Sequence, residues 1–126
     1  MKPEPQPPAV LPAAAAAAGR DDQAWGTLTW LASEPLLGCP QLTLGRVVIR
    51  RGEQNPRHSH PNCQEVLHLL AGELDHEVGG QWVRLVAGDT LVVDVGVPHH
   101  ARSVGEVDAE MIVAYDTGRR EFCPAP

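Results

Sequence analysis

The sequence predicts an all-β sandwich or barrel, and three observations lead there. Turn residues recur at short intervals, at Ala71-Gly72, Gly79-Gly80, Ala87-Gly88-Asp89 and Gly96-Val97-Pro98. The stretches between them are rich in β-branched and apolar residues, several in strict alternation with polar ones. Long stretches of 3.6-residue periodicity are scarce. Short strands separated by regular turns are the signature of a sandwich or barrel.

The elements follow in chain order. The first 22 residues hold five prolines and the run Ala13 to Ala18, and the composition shifts at Asp21-Asp22. Residues 1–22 therefore read as a disordered Pro/Ala-rich tail, and residues 23–126 as one β-barrel domain. Lys2 and the Ala/Leu-containing run imitate a signal peptide, but the prolines interrupt it and alanine is only weakly apolar. Gln23 to Leu31 is the one segment with a helical reading. Val47, Val48 and Ile49 form a β-branched run after Gly45, and Glu65 to Leu70 forms a second apolar run. Leu74, His76 and Val78 alternate with Asp75 and Glu77. Gly79-Gly80 then supplies the positive φ of a two-residue hairpin turn, with Trp82, Val83 and Leu85 on the far side. Thr90 to Val95 is the next strand, broken by Gly96-Val97-Pro98, and the last spans Ala109 to Tyr115.

Composition narrows the function classes. A chain of 126 residues supports one core. The net charge is −6, and from Gln23 onward eight basic residues face thirteen acidic ones. A phosphate backbone demands the opposite sign, so nucleic acid is not an expected partner. No apolar stretch approaches the roughly eighteen residues that span a bilayer, so no membrane is expected. Cys39, Cys63 and Cys123 are odd in number, widely spaced and without a CxxC pair. That pattern is a poor disulfide framework and reads as reduced thiols in the cytoplasm.

All six histidines fall between positions 58 and 100. His58 and His60 lie two apart, so on a strand they project side by side from one face. Glu65 follows a short loop and could reach the same point, and His99 would arrive from a third strand. Three imidazoles and a carboxylate suit one divalent first-row transition metal per chain. They leave roughly two positions open in an octahedral shell, as a catalytic metal requires.

The surrounding residues sharpen this reading. Gly52, five residues, His58-Ser59-His60, four residues, Glu65, six residues and Gly72 reproduce every position of the first motif of the cupin superfamily. Gly88, five residues, Asp94-Val95-Gly96-Val97-Pro98-His99 resembles its second motif. Asp94 stands where that motif has proline and Ser103 where it has asparagine, neither being a ligand position. The resemblance covers about Val47 to Tyr115. It implies a small cupin jelly-roll β-barrel holding the metal inside, and a homodimer. It does not imply one reaction, since cupins include dioxygenases, decarboxylases, isomerases, lyases and sugar-binding regulatory domains.

Other residues are candidates for roles around the metal. Asp94 brings a carboxylate to the barrel interior or its rim, and Tyr115 and His76 are further candidates for proton transfer. Alternation turns His68 and His100 away from the site. Asn62 and Gln64 could orient ligands, and Arg46 or Arg102 could bind a substrate carboxylate. Cys63 lacks an established base beside it and reads as structural. No GxSxG or phosphate loop occurs. The leading expectation is a metal-dependent enzyme acting on a small organic molecule, a dioxygenase if the metal is Fe(II), which the mixed His/Glu set favours. With Mn, Ni or Zn it would be an isomerase, lyase or decarboxylase. A non-catalytic barrel that senses a small ligand is the alternative from another class.

Overall fold

The computed structural model describes Glu4 and residues 7–126. Among these, one short helix, α1 (Ala13–Ala18), precedes eleven strands. They are β1 (Asp21–Gln23), β2 (Gly26–Ala32), β3 (Thr43–Ile49), β4 (His58–Ser59), β5 (Glu65–Ala71), β6 (Glu73–Val78), β7 (Gln81–Val86), β8 (Thr90–Val93), β9 (His99–Ser103), β10 (Ala109–Tyr115) and β11 (Cys123–Pro124). One antiparallel sheet has the order β1-β2-β3-β10-β5-β8, the other β11-β4-β9-β6-β7. From β3 onward nearly every connection crosses from one sheet to the other, with the β6–β7 hairpin the exception. This winding is the jelly roll that the sequence predicts.

The core follows from strand alternation. On β3 and β10 every second residue is buried, and these include Val47, Ile49, Met111 and Val113. β10 lies between β3 and β5, with Met111 opposite both Val47 and Leu69. Leu74 and Ala101 of the other sheet close on the same cluster. Each large aliphatic side chain taken out of water there contributes about 1.5–3 kcal/mol. Between the sheets, beside this apolar cluster, lie the buried side chains of His58, His60, Glu65, His76 and His99. Polar groups pointing into a barrel demand a chemical reason.

The turns behave as their glycines require. Gly79 and Gly80 take φ of 57° and 89°, the doubly positive turn that joins β6 to β7. Gly72 has φ of 81°, and a Cβ there would lie 2.8 Å from both Ala109 Cα and Asp108 O. Two reasons thus demand glycine at the end of the first motif.

The structure departs from the sequence reading at the N-terminal side. Gln23 to Leu31 is not helical, since Gly26–Ala32 is strand β2, paired in register with β3. The close backbone explains it: a Cβ on Gly26 would fall 1.8 Å from Val48 O, so only an unsubstituted strand lies flat here. Tertiary pairing outweighs local propensity. Asp21 and Asp22, placed in the tail by composition, pair with Leu28 and Thr27 as β1. Ala13–Ala18 forms one and a half helical turns with no buried residue, stopped at Gly19. Residues 1–3, 5 and 6 of the expected tail lie outside the described residues.

Candidate metal centre

Three strands deliver the candidate ligands. His58 on β4 pairs directly with His99 on β9. His60 follows β4 by one residue and shares its inward face with His58. Glu65 opens β5, opposite Val93 of β8 and Tyr115 of β10. His58, His60 and His99 are all buried, and their ligating nitrogens lie within 4.8 Å of one another. The Glu65 carboxylate completes the group, with Oε1 3.5 Å from His60 Nε2 and Oε2 3.6 Å from His99 Nε2.

Each imidazole is aimed by its other nitrogen. His58 Nδ1 lies 2.6 Å from Pro56 O, His60 Nδ1 2.8 Å from Glu121 O and His99 Nδ1 2.9 Å from Val97 O. A carbonyl can only accept, so all three Nδ1 atoms carry the proton and all three Nε2 lone pairs face inward. Nε2 of His60 and of His99 is buried without a hydrogen-bond partner. Buried polar atoms left in that state are costly, and a metal ion is the partner that their geometry fits. These three histidines can hold a metal.

The electrostatics favour the same conclusion. Burial pushes His58 down to about 4, which leaves it neutral and able to ligate at pH 7. Burial would raise Glu65, but the close approach of His60 and His99 and a hydrogen bond from Tyr115 hold it well below the usual carboxylate range. Burial would likewise lower His99, yet the Glu65 carboxylate outweighs it and the net shift is upward. A cation between these groups would meet the Glu65 charge and the inward Nε2 lone pairs at once.

A cavity of about 300 Å³ opens beside the centre. Its walls are mainly apolar, from Leu28, Val47, Ile49, Leu67 and Met111 among others. His76 and Tyr115 line it together with the candidate ligands. His76 is 2% exposed, its ring stacks 5.9 Å from that of His99, and burial pushes it down to about 4. Tyr115 is pushed well above 10 by burial and then by the Glu65 carboxylate, so its hydroxyl keeps its proton.

Several sequence candidates fall elsewhere. Asp94 is exposed, hydrogen-bonds Gln64 at 3.3 Å and does not line the cavity. Val93 takes the inward position, so alternation sends Asp94 out, and of the two expected places, barrel interior or rim, the interior is corrected. Arg46 pairs with Glu110, and Arg102 binds Gln54 and covers Trp82, so neither arginine reaches the site. His68 is exposed and bonded to Thr90, and His100 pairs with Glu77 on the outer side of β9, as alternation predicts. Cys63 is buried in the core with its thiol pushed up to about 11, first by burial and then by Asp116. Asn62 does orient the site, but indirectly. Its amide donates to Arg119 O and accepts from Glu121 N, both at 2.8 Å, and so fixes the carbonyl that aims His60.

What sequence reasoning missed is the segment after β10. Residues 119–126 fold back over the cavity mouth, pairing through β11 with β4. Phe122 stacks on His58 with ring centroids 4.7 Å apart, and Arg120 lines the cavity. No spacing pattern marks these residues, which lie beyond the last motif position.

Residues 45–115 match the family model for the cupin domain. The chain belongs to the cupin family. This cupin is 34% identical over 88 residues to germin-like protein 3-8 of Oryza sativa subsp. japonica, covering 66% of this chain and 39% of that protein. It is 28% identical over 87 residues to polyketide synthase CurC of Streptomyces cyaneus, covering 69% of this chain and 56% of that one. The cupin thus spans about two fifths to just over half the length of these curated relatives. Its fold also resembles that of a solved oxalate oxidase, with a TM-score of 0.74 at 24% identity over 81% of this chain and 56% of that one.

Proposed function

We propose that this cupin is a metal-dependent enzyme acting on a small organic molecule by oxygen-dependent chemistry. Its centre would be one divalent transition metal, Fe(II) being the favoured ion, held by His58, His60, Glu65 and His99. One observation carries the proposal. Three imidazoles have their Nδ1 atoms committed to backbone carbonyls, so three Nε2 atoms and a carboxylate converge beside an apolar cavity. A structural zinc site would be closed, whereas His58, Glu65 and His99 themselves line the cavity and would leave a held ion open to it.

When bound, the ion supplies Lewis acidity and, if it is iron, a redox couple. The chain's own residues do the remaining work. Glu65 contributes the negative charge that reduces the ion's net charge in a low-dielectric site. The apolar walls exclude bulk water and orient the substrate body. Tyr115, its proton retained, donates its hydroxyl hydrogen to Glu65 and so holds that carboxylate in place. His76 is neutral and its Nδ1 is directed at Glu77 O at 3.3 Å, so its Nε2 lone pair can accept a hydrogen bond from the cavity's ligand.

That neutral histidine and the protonated tyrosine, both facing the cavity, also support a second reading. These two uncharged polar groups beside the candidate ligands could serve an isomerase or lyase reaction in which the metal acts as Lewis acid and no oxidant is needed. The similarity to a polyketide synthase protein, beside that to a germin-like protein, is compatible with either chemistry. The test begins with metal analysis of natively expressed protein, followed by oxygen uptake over a panel of diketones, phenols and carboxylates. Near-stoichiometric metal with substrate-dependent oxygen consumption supports the oxygenase reading. Turnover that persists without oxygen replaces it with the second. Less than about a tenth of a metal ion per chain after reconstitution overturns both.

A further inference from the structure

Arg120 is the only arginine or lysine among the described residues that line the cavity. Its guanidinium lies 4.4 Å from the Trp30 ring centroid and 5.2 Å from that of Tyr115. Tyr115 in turn packs 5.0 Å from the ring of His60, so a single aromatic ring separates the arginine from a candidate metal ligand. Its backbone is fixed on both sides, because the Asn62 amide holds Arg119 O and Glu121 N.

Its partners set it apart. Arg20, Arg46, Arg51, Arg57, Arg84 and Arg119 each pair with a carboxylate. Arg50 binds backbone carbonyls and Arg102 binds Gln54. Arg120 alone has no oxygen partner among the described residues, in a chain whose charge is −6. Aromatic faces hold its charge in place but accept none of its N–H groups along the guanidinium edge. A guanidinium fork of that kind matches a carboxylate.

We propose that Arg120 reads a carboxylate on the cavity's ligand, so that the substrate is a small, otherwise apolar carboxylic acid. This rests on the reading of the cavity as a substrate site. The apolar walls would take the body of the molecule and Arg120 its anionic end. The ionised Glu65 disfavours a second anion in the same cavity, and one fixed cation is what offsets it.

The test compares acids with their own amides, which keep the shape and lose the charge. Benzoate, phenylacetate, 3-phenylpropionate and hexanoate are titrated against the corresponding amides, following tryptophan fluorescence and heat. Wild type, Arg120→Gln and Arg120→Met are each measured metal-free and zinc-loaded, with thermal melts as the fold control. In metal-free wild type at least one acid should bind roughly tenfold to a hundredfold tighter than its amide, and that preference should vanish in both variants. Arg120→Met keeps the stem packed on Trp30, so a loss shared by both variants reports the charge. A preference that survives in either folded variant overturns the proposal. So does its absence from metal-free wild type, including the case where neither compound binds. A preference that appears only with zinc assigns the carboxylate to the metal, which overturns the role of Arg120 and leaves the metal reading intact. A preference that follows Arg120 in a protein that retains no zinc does the reverse.

Discussion

Replacing His76 with glutamine should flatten the pH dependence of stability between pH 7 and pH 5. Burial lowers this histidine from 6.5 to about 4 in the folded barrel, while the unfolded chain restores the ordinary value. The unfolded state therefore binds more protons below pH 6.5, and stability falls as pH falls. The contribution is fully present above 6.5, and its loss is complete below about 4. At pH 5 the unfolded chain has taken up nearly a full proton that the folded protein refuses, worth about 2 kcal/mol, against about 0.2 kcal/mol at pH 7. His76 is 2% exposed, so solvent screening does not dilute this figure. For a domain of this size it corresponds to a shift of roughly 8 °C in melting temperature. The assay is urea unfolding of metal-free wild type and His76→Gln at both pH values. His58, shifted in the same direction, contributes to both proteins and cancels in the difference. Wild type should lose about 2 kcal/mol more than the variant on going from pH 7 to pH 5. Equal losses would refute the burial argument, whatever the variant does to stability at pH 7.

Other perturbations test other parts of the structure. His60→Ala should drop metal content below about a tenth of an ion per chain while the metal-free barrel loses only about 1–3 kcal/mol; an unfolded variant would make the metal structural. Asn62→Ala removes both hydrogen bonds that hold the carbonyl of Glu121, and metal affinity measured by chelator competition should fall about tenfold to a hundredfold. Unchanged affinity would mean that His60 is aimed without its distant carbonyl. Gly72→Ala meets both a positive φ and a backbone 2.8 Å away, so denaturation should show a loss of at least about 2 kcal/mol. A neutral result there would leave the close approach unsupported.

Much of the barrel was legible because period-two alternation leaves a direct trace. Val47-Val48-Ile49, Leu74 to Val78 and Ala109 to Tyr115 all fall within observed strands, and Gly79-Gly80 forms the expected hairpin. The four candidate ligands were legible for the same reason, since His58 and His60 share a face and the flanking glycines fix the turns around them. Illegibility began where a residue's place depends on partners far away. The strand at Gly26–Ala32 is set by pairing with β3 and not by its own composition. Asp94 illustrates the opposite hazard, because a motif position does not by itself say which face a side chain takes, and alternation from Val93 sends this one outward. Arg120 and Phe122 left no trace at all. Their place over the cavity comes from the Asn62 amide and from pairing of Cys123–Pro124 with β4, contacts between segments some sixty residues apart.

The carbonyls that aim the three imidazoles differ in origin, and this has a kinetic consequence. His58 and His99 each use a carbonyl two residues back along the chain, so forming their own strands orients them. His60 borrows its carbonyl from a residue 61 positions away. Closing so long a loop is slow relative to forming a hairpin. Two teeth of the candidate metal claw are therefore aimed by their own strands, and the third only when the final segment docks. Uptake of an ion during refolding would consequently report the docking of this segment, since His60 is aimed only once residue 121 arrives.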